Sequence, residues 1–182
     1  MLFQILSLLL DVAAGLLAGS CLLRLYMQRQ RISFSNPIGR FVFALTDWLV
    51  LPLRKVLPAV GRWDTASLVG AWLIELAQVT LLWLLLGAAG GAAWLPVAAV
   101  FGLLRLAISA LTVLVIVGAV LSWVRADSPM VDLVERLCAP ILRPFRRLVP
   151  LVGGIDLSPL VLLVLLQVAG IVLAGVQASV MA

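Results

Sequence analysis

Four long apolar runs, at about residues 3–25, 66–86, 97–124 and 159–180, constrain this chain more than any other feature. Each is near or above the roughly 20 residues that a helix needs to cross a bilayer core. Composition points the same way, because 64% hydrophobic residues and a mean hydropathy of +1.23 lie far outside the range of soluble globular domains. The expected fold is an all-α membrane protein with four transmembrane helices. The first run starts at Met1 without a charged leader segment and is long enough to span, so it reads as a retained helix rather than a cleaved signal. Between the second and third runs, GAAGGAAWLP (87–96) reads as a short uncharged turn at a water interface.

The charges set an expected orientation. Of the 13 Lys and Arg residues, seven fall between Arg24 and Arg62 and five between Arg125 and Arg147, leaving Arg105 by itself. The positive-inside rule therefore predicts that both long loops are cytoplasmic and both termini are periplasmic or extracellular. The chain has no histidine, which removes the commonest general base and the commonest zinc or haem ligand. Cys21 and Cys138 are far apart with no second cysteine at metal spacing, so they read as free thiols. No nucleophile and base can be named together, and nothing calls for a metal or another cofactor; the chain reads as a non-enzyme.

Within the loops a phrase is spelled twice. PLRKVLPAVGRWD (52–64) returns as PFRRLVPLVGGID (144–156), and placing residue n over n + 92 aligns 36–69 with 128–161 without a gap, 11 of the 34 pairs being identical. This is an internal duplication, with copies at 1–94 and 95–182, each built as helix, basic loop, helix. Two spans per copy predict that both enter the membrane the same way up, with the pseudo-symmetry axis along the membrane normal, unlike an inverted-repeat transporter.

Each loop has one grammar. Asn36-Pro37 and Ser128-Pro129 put a good N-cap before a proline suited to the first helical position, so a helix should start at each. In the second copy Val131, Val134, Leu137, Cys138, Ile141 and Leu142 share one face and Asp132, Glu135, Arg136 and Arg143 the other, while the first copy, FVFALTDWLVL, is more apolar and carries Trp48; each predicts an amphipathic helix too short to span that lies in or just below the cytoplasmic interface. Pro52 and Pro144 are expected to stop these helices, with Pro58 and Pro150 closing a fixed turn around Arg54 and Lys55, and around Arg146 and Arg147. Arg143 adds a cation just before the second turn, and Pro140 precedes it. Gly61 and Gly153 then supply a turn, and Asp64 and Asp156 stand ready to cap the next span or pair with an arginine. Such loops read either as helix caps with positive-inside anchors or as a surface that docks anionic lipid or a protein partner at headgroup depth.

These motifs resemble the bacterial YggT family, called YlmG in other lineages and present in chloroplasts. The resemblance runs over nearly the whole chain, including LRLYMQ before the first loop, and its most specific part is Pro140 through Arg143-Pro144, Arg146-Arg147, Pro150, Gly153-Gly154, Asp156 and Ser158-Pro159. Departures fall in the first copy, where Arg62-Trp63 replaces Gly154-Ile155 and Ser67 replaces Pro159. The resemblance implies a plasma (inner) membrane protein linked, in different lineages, to osmotic stress tolerance, division and nucleoid placement, or cytochrome assembly. It brings no catalytic residue.

Polar residues inside the spans supply a second expectation. Asp11 lies about 20 Å along the first helix from Arg24, and Glu75 and Gln167 each about 16 Å beyond the repeated aspartates, with Gln78 one turn further out. Ionisable groups inside a membrane are expensive and suggest function. They would form a polar seam that either hydrogen-bonds helices together or, in a small oligomeric ion channel or ion-flux protein, lines a proton or cation path through Asp11 and Glu75. Arg105, counted back from Arg125, should lie too far out to compensate them. Small residues Ala14, Gly15, Ala18 and Gly19, and Gly170, Ala174 and Gly175, allow close helix contact within the chain or in a homo-oligomer. The leading expectation is a membrane scaffold or assembly factor whose basic loops hold anionic lipid and a membrane-protein partner, with no direct nucleic-acid role.

Overall fold

A computed structural model describes residues 1–58, 61, 63–88, 91–124, 128–149 and 156–181. Those residues form six α-helices: α1 Leu2–Arg29, α2 Pro37–Val56, α3 Thr65–Leu85, α4 Leu95–Val124, α5 Pro129–Leu148 and α6 Ser158–Val180, with one 3-10 turn at Ala92–Trp94 before α4. Four helices, α1, α3, α4 and α6, are long and apolar enough to cross a membrane. Packing divides the chain inside α4 into two compact units, Met1–Ala107 and Ile108–Val180.

In the first unit α1 packs along α3 and both touch α2. Its core is small and close, Ala18 and Cys21 of α1 meeting Val50 of α2 and Ala66 and Ala71 of α3. In the second unit Val134, Cys138 and Leu142 of α5 pack with Val115 of α4 and Leu162 of α6. The Cys138 thiol donates to the Leu114 carbonyl at 3.4 Å, and a Cβ on Gly118 would stand 2.6 Å from that sulfur, so the glycine is what lets α5 approach α4.

Helix boundaries follow local chemistry. Asn36 accepts from the Gly39 N–H at 2.8 Å and Ser128 from Met130 at 3.3 Å, each with proline as the first helical residue. The predicted turn after α3 is a Schellman ending: Gly87 (φ 84°) donates to Leu84 and Ala88 to Trp83. Gly61, the repeated turn glycine, sits at φ 62°, where a side chain would be strained. Its counterpart Gly153 lies outside the described residues, as do Pro150, Gly154, Arg62 and Arg125.

The prolines overturn one expectation. Pro52 does not stop α2, nor does Pro144 stop α5; both lie inside their helices, as does Pro140. Each is on the exposed side, so the carbonyl four residues earlier, which loses its N–H partner, can be met by groups outside the protein. As a result α2 and α5 are 20 residues long, about 30 Å, and length does not keep them from spanning. Their charges do.

Candidate functional site

The helices run through their prolines, so the repeated basic residues lie in the last turns of α2 and α5 instead of in a loop. Arg54 and Lys55 end α2, and Arg146 and Arg147 end α5, where unpaired helix carbonyls favour positive charge. Arg143 stands one turn earlier on α5. In both copies the arginine reaches the aspartate ten residues later, which precedes the next span. Arg54 donates to Asp64 through Nη2 at 2.5 Å and Nε at 3.4 Å, and Arg146 Nε donates to Asp156 at 2.8 Å. The basic helix end is thus tied to the entry of the following apolar helix.

The first of these clasps is buried. Asp64 is 0% exposed and caps α3, its carboxylate accepting from the Ser67 hydroxyl at 2.6 Å and the Ser67 N–H at 3.4 Å. Arg54 also donates to Gln28 of α1 at 2.9 Å. Behind them Arg24 of α1, 2% exposed, donates from Nη1 to Thr46 and Asp47 of α2, both at 2.7 Å, while its Nε lies 4.0 Å from Asp64 with no hydrogen-bond partner. Its guanidinium rests 4.6 Å over Phe43, whose ring stacks on Phe34. Three helices are pinned by one ionic network. Burial alone would raise the Asp64 pKa, but hydrogen bonds from Arg54 and Ser67 and the Arg54 charge outweigh it and hold the carboxyl below the ordinary Asp value.

The second clasp is open. Arg146 is 55% and Asp156 29% exposed, so their pairing is weaker. Asp156 also accepts the Ser158 N–H at 2.9 Å as α6 begins with Ser158-Pro159. Desolvation pushes its pKa up less than Ser158 and Arg146 pull it down, so it too lies below the ordinary value. The positions matching Thr46 and Asp47 are Cys138 and Ala139, and no ionic network fills the core there among the described residues. Lys55, Arg143 and Arg147 are exposed, and none of them is in an ion pair among the described residues. Pro58 closes the first loop by accepting the Thr65 hydroxyl at 2.9 Å.

Sequence does not single out Arg24, Thr46 or Asp47, and it marks Ser67 only as a departure from the repeated motif. Charge counting treats Arg24 as one more loop cation; α1 continues to Arg29, and Arg24 is buried within it. The readable signal was Thr46-Asp47, a polar pair inside the apolar stretch FVFALTDWLVL that needs partners once buried.

Of the intramembrane residues, the structure brings three near one another. Gln78 donates to Asp11 at 2.5 Å, joining α3 to α1. Glu75 is buried one turn away, its carboxylate in the space that a Cβ on Gly102 would take, with Asp11 and Arg105 in Coulombic range. Arg105 therefore does reach the seam. Counting from Arg125 misplaced it because α4, at 30 residues, is about 45 Å long and need not stand upright in a core of about 30 Å. Gln167 lies in the other unit and is exposed.

Comparison with known proteins places these features in a family. The CCB3/YggT family model matches residues 1–85 and 97–177. The chain belongs to the CCB3/YggT family. The uncharacterized protein YggT of Escherichia coli K12 is 36% identical over 176 residues, 94% of this chain and 90% of that protein. Uncharacterized proteins of Vibrio alginolyticus (32% over 159 residues, 85% of each chain) and Haemophilus influenzae (32% over 146 residues, 80% and 78%) are also similar. No solved structure matches the chain. Among the residues matched to CCB3/YggT, the first stretch contains α1 to α3 with the buried clasp, and the second contains α5 and most of α4 and α6 with the open one.

Proposed function

We propose that this YggT-family protein is a non-enzymatic scaffold or assembly factor of the plasma membrane, docking a membrane-protein partner and anionic lipid through the basic ends of α2 and α5. In this reading the two copies enter the membrane in the same sense, both basic segments are cytoplasmic, both termini lie outside, and α2 and α5 are interfacial amphipathic helices. The observation that carries it is the repeated clasp, Arg54 on Asp64 and Arg146 on Asp156, which fixes a cationic helix end at the mouth of a span and leaves Lys55, Arg143 and Arg147 free to bind. A topology signal needs charge alone; it does not need that geometry twice. Docking would also serve each setting that the resemblance implies, osmotic stress, division and nucleoid placement, or cytochrome assembly, without a different chemistry for each.

The test is photo-crosslinking in living membranes from position 148, which is exposed beside these cations. A discrete protein adduct should disappear on reversing Arg146 and Arg147 to Glu. It should disappear equally on reversing Arg143 and Arg147, which spares the clasp. Insertion should be unchanged in both. An adduct that survives both reversals sinks the docking reading.

A second reading is favoured by the burial of Glu75 beside Gly102, Arg105 and the Asp11–Gln78 bond: a small oligomer that conducts protons or cations along this seam. Flux into liposomes containing the purified chain decides between them. The scaffold reading expects the same background flux from wild type, Asp11→Asn and Glu75→Gln. Flux above empty liposomes that either substitution alters would transfer the function to the seam.

A further inference from the structure

The outer faces of α2 and α5 differ, although both helices end in a clasp. At 100° per residue Arg136, Arg143 and Arg147 fall within about 40° of one another on α5, opposite the stripe of Val134, Cys138 and Leu142 that packs into the second unit. All three are exposed and outside any ion pair among the described residues. The matching positions on α2 are Ala44, Leu51 and Lys55, with exposed Trp48 in place of Pro140, a face suited to an apolar interface.

The place of α5 decides what the cations meet. Its inner stripe lies against Leu114, Val115 and Gly118 of α4 and Leu162 of α6, all inside the apolar spans. That stripe of α5 is therefore buried against its own spans, and the opposite face, which carries the three arginines, is exposed. Arginines there need an anion at headgroup depth, and a phosphate diester takes a guanidinium in bidentate fashion. Pro140 and Pro144, exposed on the same side, have no N–H to give the carbonyls of Arg136 and Pro140, which leaves two acceptors for a hydroxylated headgroup.

Resting on the lipid part of the proposed function, we infer that Arg136, Arg143 and Arg147 form a binding site for anionic phospholipid with a hydroxylated headgroup, phosphatidylglycerol being the simplest, and that this site belongs to α5 alone. The first copy is the structural half, its Arg54 held by Asp64 and Gln28.

Native mass spectrometry of the full chain, taken from phosphatidylcholine vesicles with about 20 mol% phosphatidylglycerol, reads the retained lipid. Arg143→Gln with Arg147→Gln should cut phosphatidylglycerol retention about tenfold at unchanged helicity, and Lys55→Gln less than about twofold. Vesicles with phosphatidylserine in place of phosphatidylglycerol should give weaker retention; equal retention would overturn the hydroxyl recognition. Equal losses from the α5 and α2 variants would overturn the assignment to α5 while leaving lipid docking standing. Undiminished retention in the α5 variant would overturn the site altogether, and a simultaneous loss of the position-148 protein adduct would give the stripe to a protein instead.

Discussion

Asp64→Ala should destabilise the folded chain by about 2–4 kcal/mol, whereas Asp156→Ala, the same residue of the repeated phrase, should cost less than about 1 kcal/mol. The difference comes from burial. Asp64 is 0% exposed and takes hydrogen bonds from Arg54 and Ser67, and its loss also removes the cap of α3. It leaves the buried Ser67 hydroxyl without its acceptor and takes away the carboxylate nearest to Arg24 Nε. The figure stays below that for a fully buried pair because Arg54 is 36% exposed and can turn to water. Asp156 and Arg146 are both solvated enough that the loss of either is screened. Unfolding by SDS titration in mixed micelles, followed by circular dichroism, compares them; equal losses would mean that the buried network is not what holds the first unit.

Acid should report the contribution of Asp64. The folded-state pKa of Asp64 is lowered, so its contribution is fully present above the ordinary Asp value of about 3.9 and is lost as pH falls through the lower folded value. Wild type should therefore lose stability below about pH 4, and Asp64→Ala should lose less over the same range.

How much could be read in advance depended on whether the signal was local. The four spans followed from the length of their apolar runs, and the starts of α2 and α5 from Asn36-Pro37 and Ser128-Pro129, because an N-cap and its proline act within four residues. The Gly87 turn was visible for the same reason. Two things were not local. Whether a proline ends a helix depends on which side its orphaned carbonyl faces, and Pro52, Pro140 and Pro144 all face outward. Whether an arginine is a surface charge or a buried tie depends on what crosses in front of it, and Thr46 and Asp47 are 22 and 23 residues from Arg24. Charge counting along the chain treats Arg24 and Lys55 alike, although one is sealed between helices and the other exposed. The candidate site was thus legible as a motif, but the split between a buried clasp and an open one arose from Thr46, Asp47 and Cys138, residues outside the repeated phrase.

Gly39→Ala should cost about 2–3 kcal/mol although it adds a single methyl group to a helix. The glycine stands in the first turn of α2, where the chain arriving from Phe34 crosses over it; a Cβ there would lie 2.5 Å from the Phe34 carbonyl oxygen, 2.6 Å from its Cα and 2.8 Å from its carbonyl carbon. These are backbone atoms, so relief requires moving the chain and not merely turning a side chain. The movement would not stay local, since the Phe34 ring stacks at 4.6 Å on Phe43 and Phe43 carries the Arg24 guanidinium at the same distance. Displacing Phe34 therefore disturbs the support beneath the buried arginine, and the cost should exceed that of a clash ending at the surface. Gly70 of α3 is the control. A Cβ there meets Leu49, Leu53 and Val50 side chains at 3.5–3.7 Å, ordinary contact, so Gly70→Ala should gain roughly 0.5–1 kcal/mol from lower unfolded-state entropy and better helix propensity. The two substitutions are chemically identical and should differ in sign in the same SDS titration. A Gly39→Ala protein as stable as wild type would mean that the crossing at Phe34 is loose and that Arg24 is held by Thr46 and Asp47 without help from the aromatic stack.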